Sequence, residues 1–225
     1  RVLRESDEGN QRVLEKLQEY SFVRDLGDGR LAYHDEVRRA FLDEWQRERP
    51  AELEQIHRRL YQHFSQRTTP PGSANRAMPL TLDAKLLSVV PMSAQADLLR
   101  REAIYHLLWL DQEQGLVELR RSFDYLEEVH RLAEAELLLQ TASETPLGPR
   151  GRRWTQYLRA RVLQGSLSLG AATEQLDALR ARGDLEPDLA AEVSGTQGEL
   201  FAETGQWARA TELYRQSLAF FAQSG

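Results

Sequence analysis

Apolar residues recur along most of this chain at intervals of three and four, the spacing that gathers side chains on one face of a helix. Val13, Leu14 and Leu17 give such a face to a helix beginning near Asn10. Val37, Ala40, Phe41 and Trp45 predict a second helix with one inward stripe. Pro50 ends it and starts a third, with Leu53, Ile56, Leu60 and Phe64 as its stripe, running to about Gln66. Ala96, Leu99, Ala103, Leu107 and Leu110 mark a further helix. After an expected turn from Asp111 to Gly115, Leu116, Leu119, Phe123 and Leu126 mark its partner. Val129 to Gln140 reads as another, stopped by Thr145-Pro146 and Gly148-Pro149. Arg152 to Leu163 and Ser168 to Ala181 form the next pair, and Gly183 and Pro187 punctuate the turn that follows. One stretch departs from this period. Ser21 to Leu26 is rich in strand formers and ends in Gly27-Asp28-Gly29, whose glycines accept positive φ; Arg30 to His34 follows as a second short run, so a β-hairpin is predicted.

The order helix, tight hairpin, helix is that of the back half of a winged-helix module. Asp35 stands where the helix after the hairpin should begin, its carboxylate able to cap the free amides of the first turn, with Glu36 adding negative charge at the positive end of the dipole. The run Tyr33-His34-Asp35, followed by Glu36-Val37-Arg38-Arg39, resembles the winged-helix domain of the signal-transducing STAND NTPases, the NB-ARC and NACHT-like switches. Members of that group carry Met-His-Asp at this place, and their histidine contacts the β-phosphate of ADP in the closed state; Tyr33 stands here in place of the Met. The resemblance implies that nucleotide-sensing role for His34 and a helix-capping role for Asp35. On the residues alone, His34 is equally a polar strand-end side chain with a local hydrogen bond.

Thr68 to Pro79, TTPPGSANRAMP, is the sharpest break in pattern and places a domain boundary. The expected organisation is a winged-helix domain over 1–67, a linker and lead-in over 68–93, and helical repeats over 94–225. In the last unit, Gly198, Phe201, Gly205, Ala210, Tyr214 and Leu218 resemble the small and aromatic positions of a tetratricopeptide repeat of about 34 residues. There the glycine lets two helices approach, Phe201 and Tyr214 fill the space between them, and Gly205 makes the turn. Ser194, Gln197 and Ser217 stand where that family prefers Trp, Leu and Ala. The fold class is thus mainly α: a winged-helix module with a small hairpin, followed by a tetratricopeptide-like solenoid.

Composition narrows the chemistry. With 41% apolar and 28% charged residues, the 225-residue chain is globular in character, and its net charge of −6 disfavours nucleic acid as the main partner. No cysteine is present, which removes disulfides, thiolate metal sites and a cysteine nucleophile. His57 and His63 are six apart, on different helix faces, so no metal site is expected. No signal peptide or spanning run is evident, and a cytoplasmic location is the simplest expectation. The chain starts without Met, as a piece of something longer would.

No phosphate loop, nucleophile elbow or zinc-protease motif occurs, so no catalytic residue and no resident cofactor is expected in this piece. The resemblance implies an upstream NTPase domain in cis, ADP or ATP in the longer protein, and room for oligomerisation on activation. It also implies a protein or other ligand on the repeats. The alternatives are a scaffold built on the repeats and a transcription regulator with winged-helix DNA contact. Among single residues, Arg38 and Arg39 are expected to meet solvent or a nearby carboxylate, Trp109 and Trp207 to pack between repeats, and the neighbouring acids Glu127/Glu128 and Asp184/Glu186 to be solvated charges.

Overall fold

The computed structural model describes residues 23–25, 31–33, 35–68 and 94–224. The helix expected from Asn10, the Gly27-Asp28-Gly29 turn, His34 and the 69–93 segment lie outside them, as do the side chains of Asp35, Arg38 and Arg39. The described residues are built mainly of helices packed in sequence. By compactness they fall into two units, meeting at His63/Phe64 in the chain.

In the first unit, β1 (Val23–Asp25) and β2 (Leu31–Tyr33) pair antiparallel, with Val23 opposite Tyr33 and Asp25 opposite Leu31. Helix α1 (Asp35–Glu48) takes Asp35 as its first residue. Its expected inward stripe is not buried: Phe41 is 47% exposed, Trp45 37%, and Ala40 is exposed as well. The 3.6-residue period located the face of the helix but not what covers it. Pro50 opens α2 (Pro50–Thr68), as its lack of an amide hydrogen favours. Leu53 and His57 are the buried members of that helix. Burial lowers the His57 pKa to about 4, since the imidazolium loses its hydration, so this histidine is neutral and packed.

The second unit contains α3 (Ala94–Leu110), α4 (Gln112–Glu128), α5 (Leu132–Ser143), α6 (Pro149–Gly165), α7 (Leu169–Ala181), α8 (Pro187–Glu203) and α9 (Trp207–Ser224). Each packs on the next, and α4, α6 and α8 also lie side by side, as do α3 and α5. The expected Asp111-to-Gly115 turn is a single residue. Asp111 caps α4 by accepting the Gln114 amide at 3.0 Å. Gly115 lies inside the helix, where a Cβ would stand 2.8 Å from the Leu108 Cα. The glycine marks a helix crossing, not a loop.

Three of the connections are copies of one turn. The amide of Arg131 donates to Leu126 and that of His130 to Glu127; Ser168 and Leu167 do the same to Leu163 and Gln164, and Gln206 and Gly205 to Phe201 and Ala202. The residue at the left-handed position is His130 (φ 58°), Leu167 (φ 60°) and Gly205 (φ 76°). This is the Schellman ending, in which a left-handed residue lets the last carbonyls find partners. The three sites lie 37 and 38 residues apart, from 130 to 167 to 205. Five residues further on in each case comes a buried alanine, Ala135, Ala172 or Ala210. The repeat length is therefore 37 to 38 residues, longer than the 34 that the last unit suggested.

Around these turns runs a continuous core that includes Leu119, Phe123, Leu139, Trp154, Tyr157, Leu158, Leu176, Leu179 and Leu189. Removing an apolar surface of this kind from water stabilises by about 25 cal/mol per Å². Among the described residues no helix is long and apolar enough to cross a membrane.

Candidate ligand groove

Because α4, α6 and α8 lie side by side, residues that are distant in sequence share one surface. A groove of about 890 Å³ runs over α6 and α8, bounded by the end of α4 and by α9. Its floor is Tyr157, 1% exposed, whose hydroxyl lies 3.0 Å from Thr196 Oγ1 and donates to Glu192 Oε2 at 3.3 Å. Burial, reinforced by the Glu192 charge, pushes the Tyr157 hydroxyl well above its ordinary pKa, with only partial opposition from the Arg161 cation. The phenol therefore stays protonated and acts as a fixed donor.

The walls are acidic. Glu192, Glu199 and Glu203 occupy one face of α8, and Glu127 faces them from α4. Arg161 is the one arginine or lysine in the lining among the described residues, and it is already engaged: it donates to Asp124 at 2.8 Å and to Glu127. Burial works against its charge, yet the Glu127 and Asp124 carboxylates oppose that, and the guanidinium pKa lies above normal. Arg161 also lies 5.1 Å from the centre of the Phe123 ring. Gln164 donates to both Glu199 and Glu203 at 3.3 Å. Burial, with Glu199 and Glu203 adding to it, raises the Tyr214 hydroxyl as well. At the rim stand apolar side chains open to solvent: Leu167 is 82% exposed, Leu218 65% and Phe221 47%.

Chemically the groove offers carboxylate acceptors, one buried phenol and apolar anchors. It suits a cationic ligand with apolar groups. Among the described residues no group of three or more His, Asp or Glu could hold a metal ion.

The residues singled out from the sequence divide. Gly198 is required by a close approach, because a Cβ there would stand 2.8 Å from the Tyr214 ring. Gly205 takes the left-handed turn, and Ala210 is buried. Phe201 is half-buried beneath Arg209, whose guanidinium carbon is 5.5 Å from its ring centre. Leu218 does not pack between helices as expected; it is open to solvent on the groove rim. Trp207, also expected to pack, is 67% exposed, whereas Trp109 is half-buried. The acids read as solvated charges are in part ion pairs: Arg153 on α6 holds both Glu186 and Asp184 of the α7–α8 connection, the latter at 3.1 Å, and Arg161 holds Glu127 of α4. Hydrogen bonding from Arg153 lowers the Glu186 pKa. His34 and the Asp35 side chain lie outside the described residues.

Tyr157, Thr196, Arg161 and Glu192 had not stood out in the sequence. Their one signal there is spacing: Tyr157 and Arg161 are four apart on α6, and Glu192, Thr196, Glu199 and Glu203 recur at three to four on α8. No family model, no curated protein and no solved structure matches this chain.

Proposed function

We propose that this chain is the regulatory and sensing region of a STAND-type NTPase switch, with tetratricopeptide-like repeats that bind a protein ligand in the groove over α6 and α8. The observation that carries the reading is the groove itself: four carboxylates and one already paired arginine over a buried tyrosine, with solvent-exposed leucine and phenylalanine at the rim. Apolar anchors inside a charged surround are what a specific protein contact uses. The repeating turns every 37 to 38 residues support a solenoid, in which neighbouring units build one extended surface.

The switch half of the reading rests on the resemblance around Tyr33-His34-Asp35. It assigns the hairpin and the helix after it to a winged-helix domain that closes over ADP held by an NTPase domain upstream. Ligand in the groove would favour the open state, and oligomerisation would follow. The ligand must prefer the open form, because equal affinity for both forms shifts nothing. The test is ADP release from the longer protein carrying the NTPase domain. His34→Ala should speed release and raise basal activity, and unchanged release removes His34 from the mechanism.

A plain scaffold is the competing reading, and it is favoured by the described lining of the groove lying wholly within residues 127–221, on the repeats. On that reading, groove substitutions abolish partner binding while ADP release never responds to the partner.

A further inference from the structure

A second pocket, of about 510 Å³, lies away from the groove between the α5–α6 connection, the outer side of α6 and the end of α7. Its charge is opposite to that of the rest of the protein. Among the described residues Arg152, Arg159 and Arg182 line it, and no carboxylate does. Elsewhere on this unit five arginines are answered by carboxylates on other elements: Arg120 reaches Glu192, Arg131 reaches Asp97, Arg150 reaches Asp188, Arg153 reaches Glu186 and Arg161 reaches Glu127. Arg152 donates to the Leu147 carbonyl, which fixes its position without neutralising it. Arg159 and Arg182 have neither an ion pair nor a side-chain hydrogen bond among the described residues.

We propose that this pocket binds a small molecule carrying one or two phosphoryl groups. Three like charges held around one cavity repel, and a chain with 35 acidic residues against 29 basic ones has no shortage of carboxylates to balance them. An anion in the cavity supplies that balance. Guanidinium groups suit phosphoryl oxygens because the planar fork donates two parallel hydrogen bonds. The hydroxyls of Thr145 and Thr155 already donate to the carbonyls of Ala142 and Gly151, so the donors left for a ligand are the arginines' own and the Gln156 amide. Pro146 and Leu147 give one apolar side for the organic part, and the volume is in the range of small-molecule sites. This site stands independently of the groove and of the switch reading.

The test is calorimetric titration of the intact chain with sodium pyrophosphate at constant ionic strength, alongside a phosphothreonine peptide. Saturable one-site binding of pyrophosphate is expected. R159Q and R182Q should each weaken it by about 10-fold, the effect of one charged hydrogen bond, and the double variant should abolish it. R215Q, whose partner Glu212 lies on α9, should leave it unchanged. Each variant is checked by thermal melting. Should a glutamine variant fail to fold, R159K or R182K decides, because it keeps the charge, loses the fork and is expected to weaken binding. Absence of saturable binding, binding by R159Q and R182Q as tight as that of the parent chain, or binding of the phosphopeptide without pyrophosphate would each overturn the proposal.

Discussion

The middle helix pair, α6–α7, and the last, α8–α9, share a turn and a repeat length but solve the packing problem differently. At the position where α8 has Gly198, 38 residues earlier α6 has the fully buried Ala160. At the left-handed turn the last pair uses Gly205 and the middle pair Leu167, a residue that resists this conformation. The middle pair nevertheless buries Trp154, Tyr157, Leu158, Leu176 and Leu179 to 1% exposure or less, while the last leaves Trp207, Leu218 and Phe221 open to solvent. The pair with the better consensus positions is the one whose last helix leaves large apolar side chains open, although α8 itself is well buried. Consensus glycines report what the backbone needs, whereas stability follows from what the side chains cover.

Five substitutions probe this contrast. Trp154→Ala in the middle pair should cost about 3–5 kcal/mol in urea unfolding, since it leaves a large cavity in the core and exposes Arg120, now 3.6 Å from the ring centre, to a void. Gly198→Ala should cost about 1–3 kcal/mol by forcing the Tyr214 ring away, and much of that cost should vanish in a Tyr214→Ala background, as a double-mutant cycle would reveal. The turns should respond with opposite signs: Gly205→Ala destabilises by about 1 kcal/mol, whereas Leu167→Gly raises the midpoint of unfolding, because it relieves a strained φ at an exposed site. Trp207→Ala should change stability by less than about 0.5 kcal/mol; a loss comparable with that of Trp154→Ala would show that the exposed end is as well packed as the middle.

The sequence made the repeating helices legible because their stripes obey the 3.6-residue period and their ends carry proline and glycine. Gly198, Gly205 and Ala210 were legible for the same reason: each answers a local backbone or packing demand that few other residues meet. Gly115 was misread because a glycine at a helix crossing looks the same in sequence as one in a turn. The repeat length was underestimated because only the last unit carries consensus positions, while the equivalent sites His130 and Leu167 hide the same backbone under unrelated side chains. The groove left only the spacing of its residues along α6 and α8 in the sequence, and nothing that joined the two helices. Tyr157 meets Thr196 across 39 residues and Arg120 meets Glu192 across 72, and neither pairing exists until α4, α6 and α8 stack.

The central claim is that the acidic groove is the ligand surface, and fluorescence anisotropy tests it most directly. The probe is a labelled amphipathic peptide bearing lysines and leucines, titrated with the intact chain and with its Glu199→Lys/Glu203→Lys variant. Saturable binding to the parent chain is expected, lost in the variant while its melting temperature is retained. No binding to the parent chain, or equal binding to both, would contradict it.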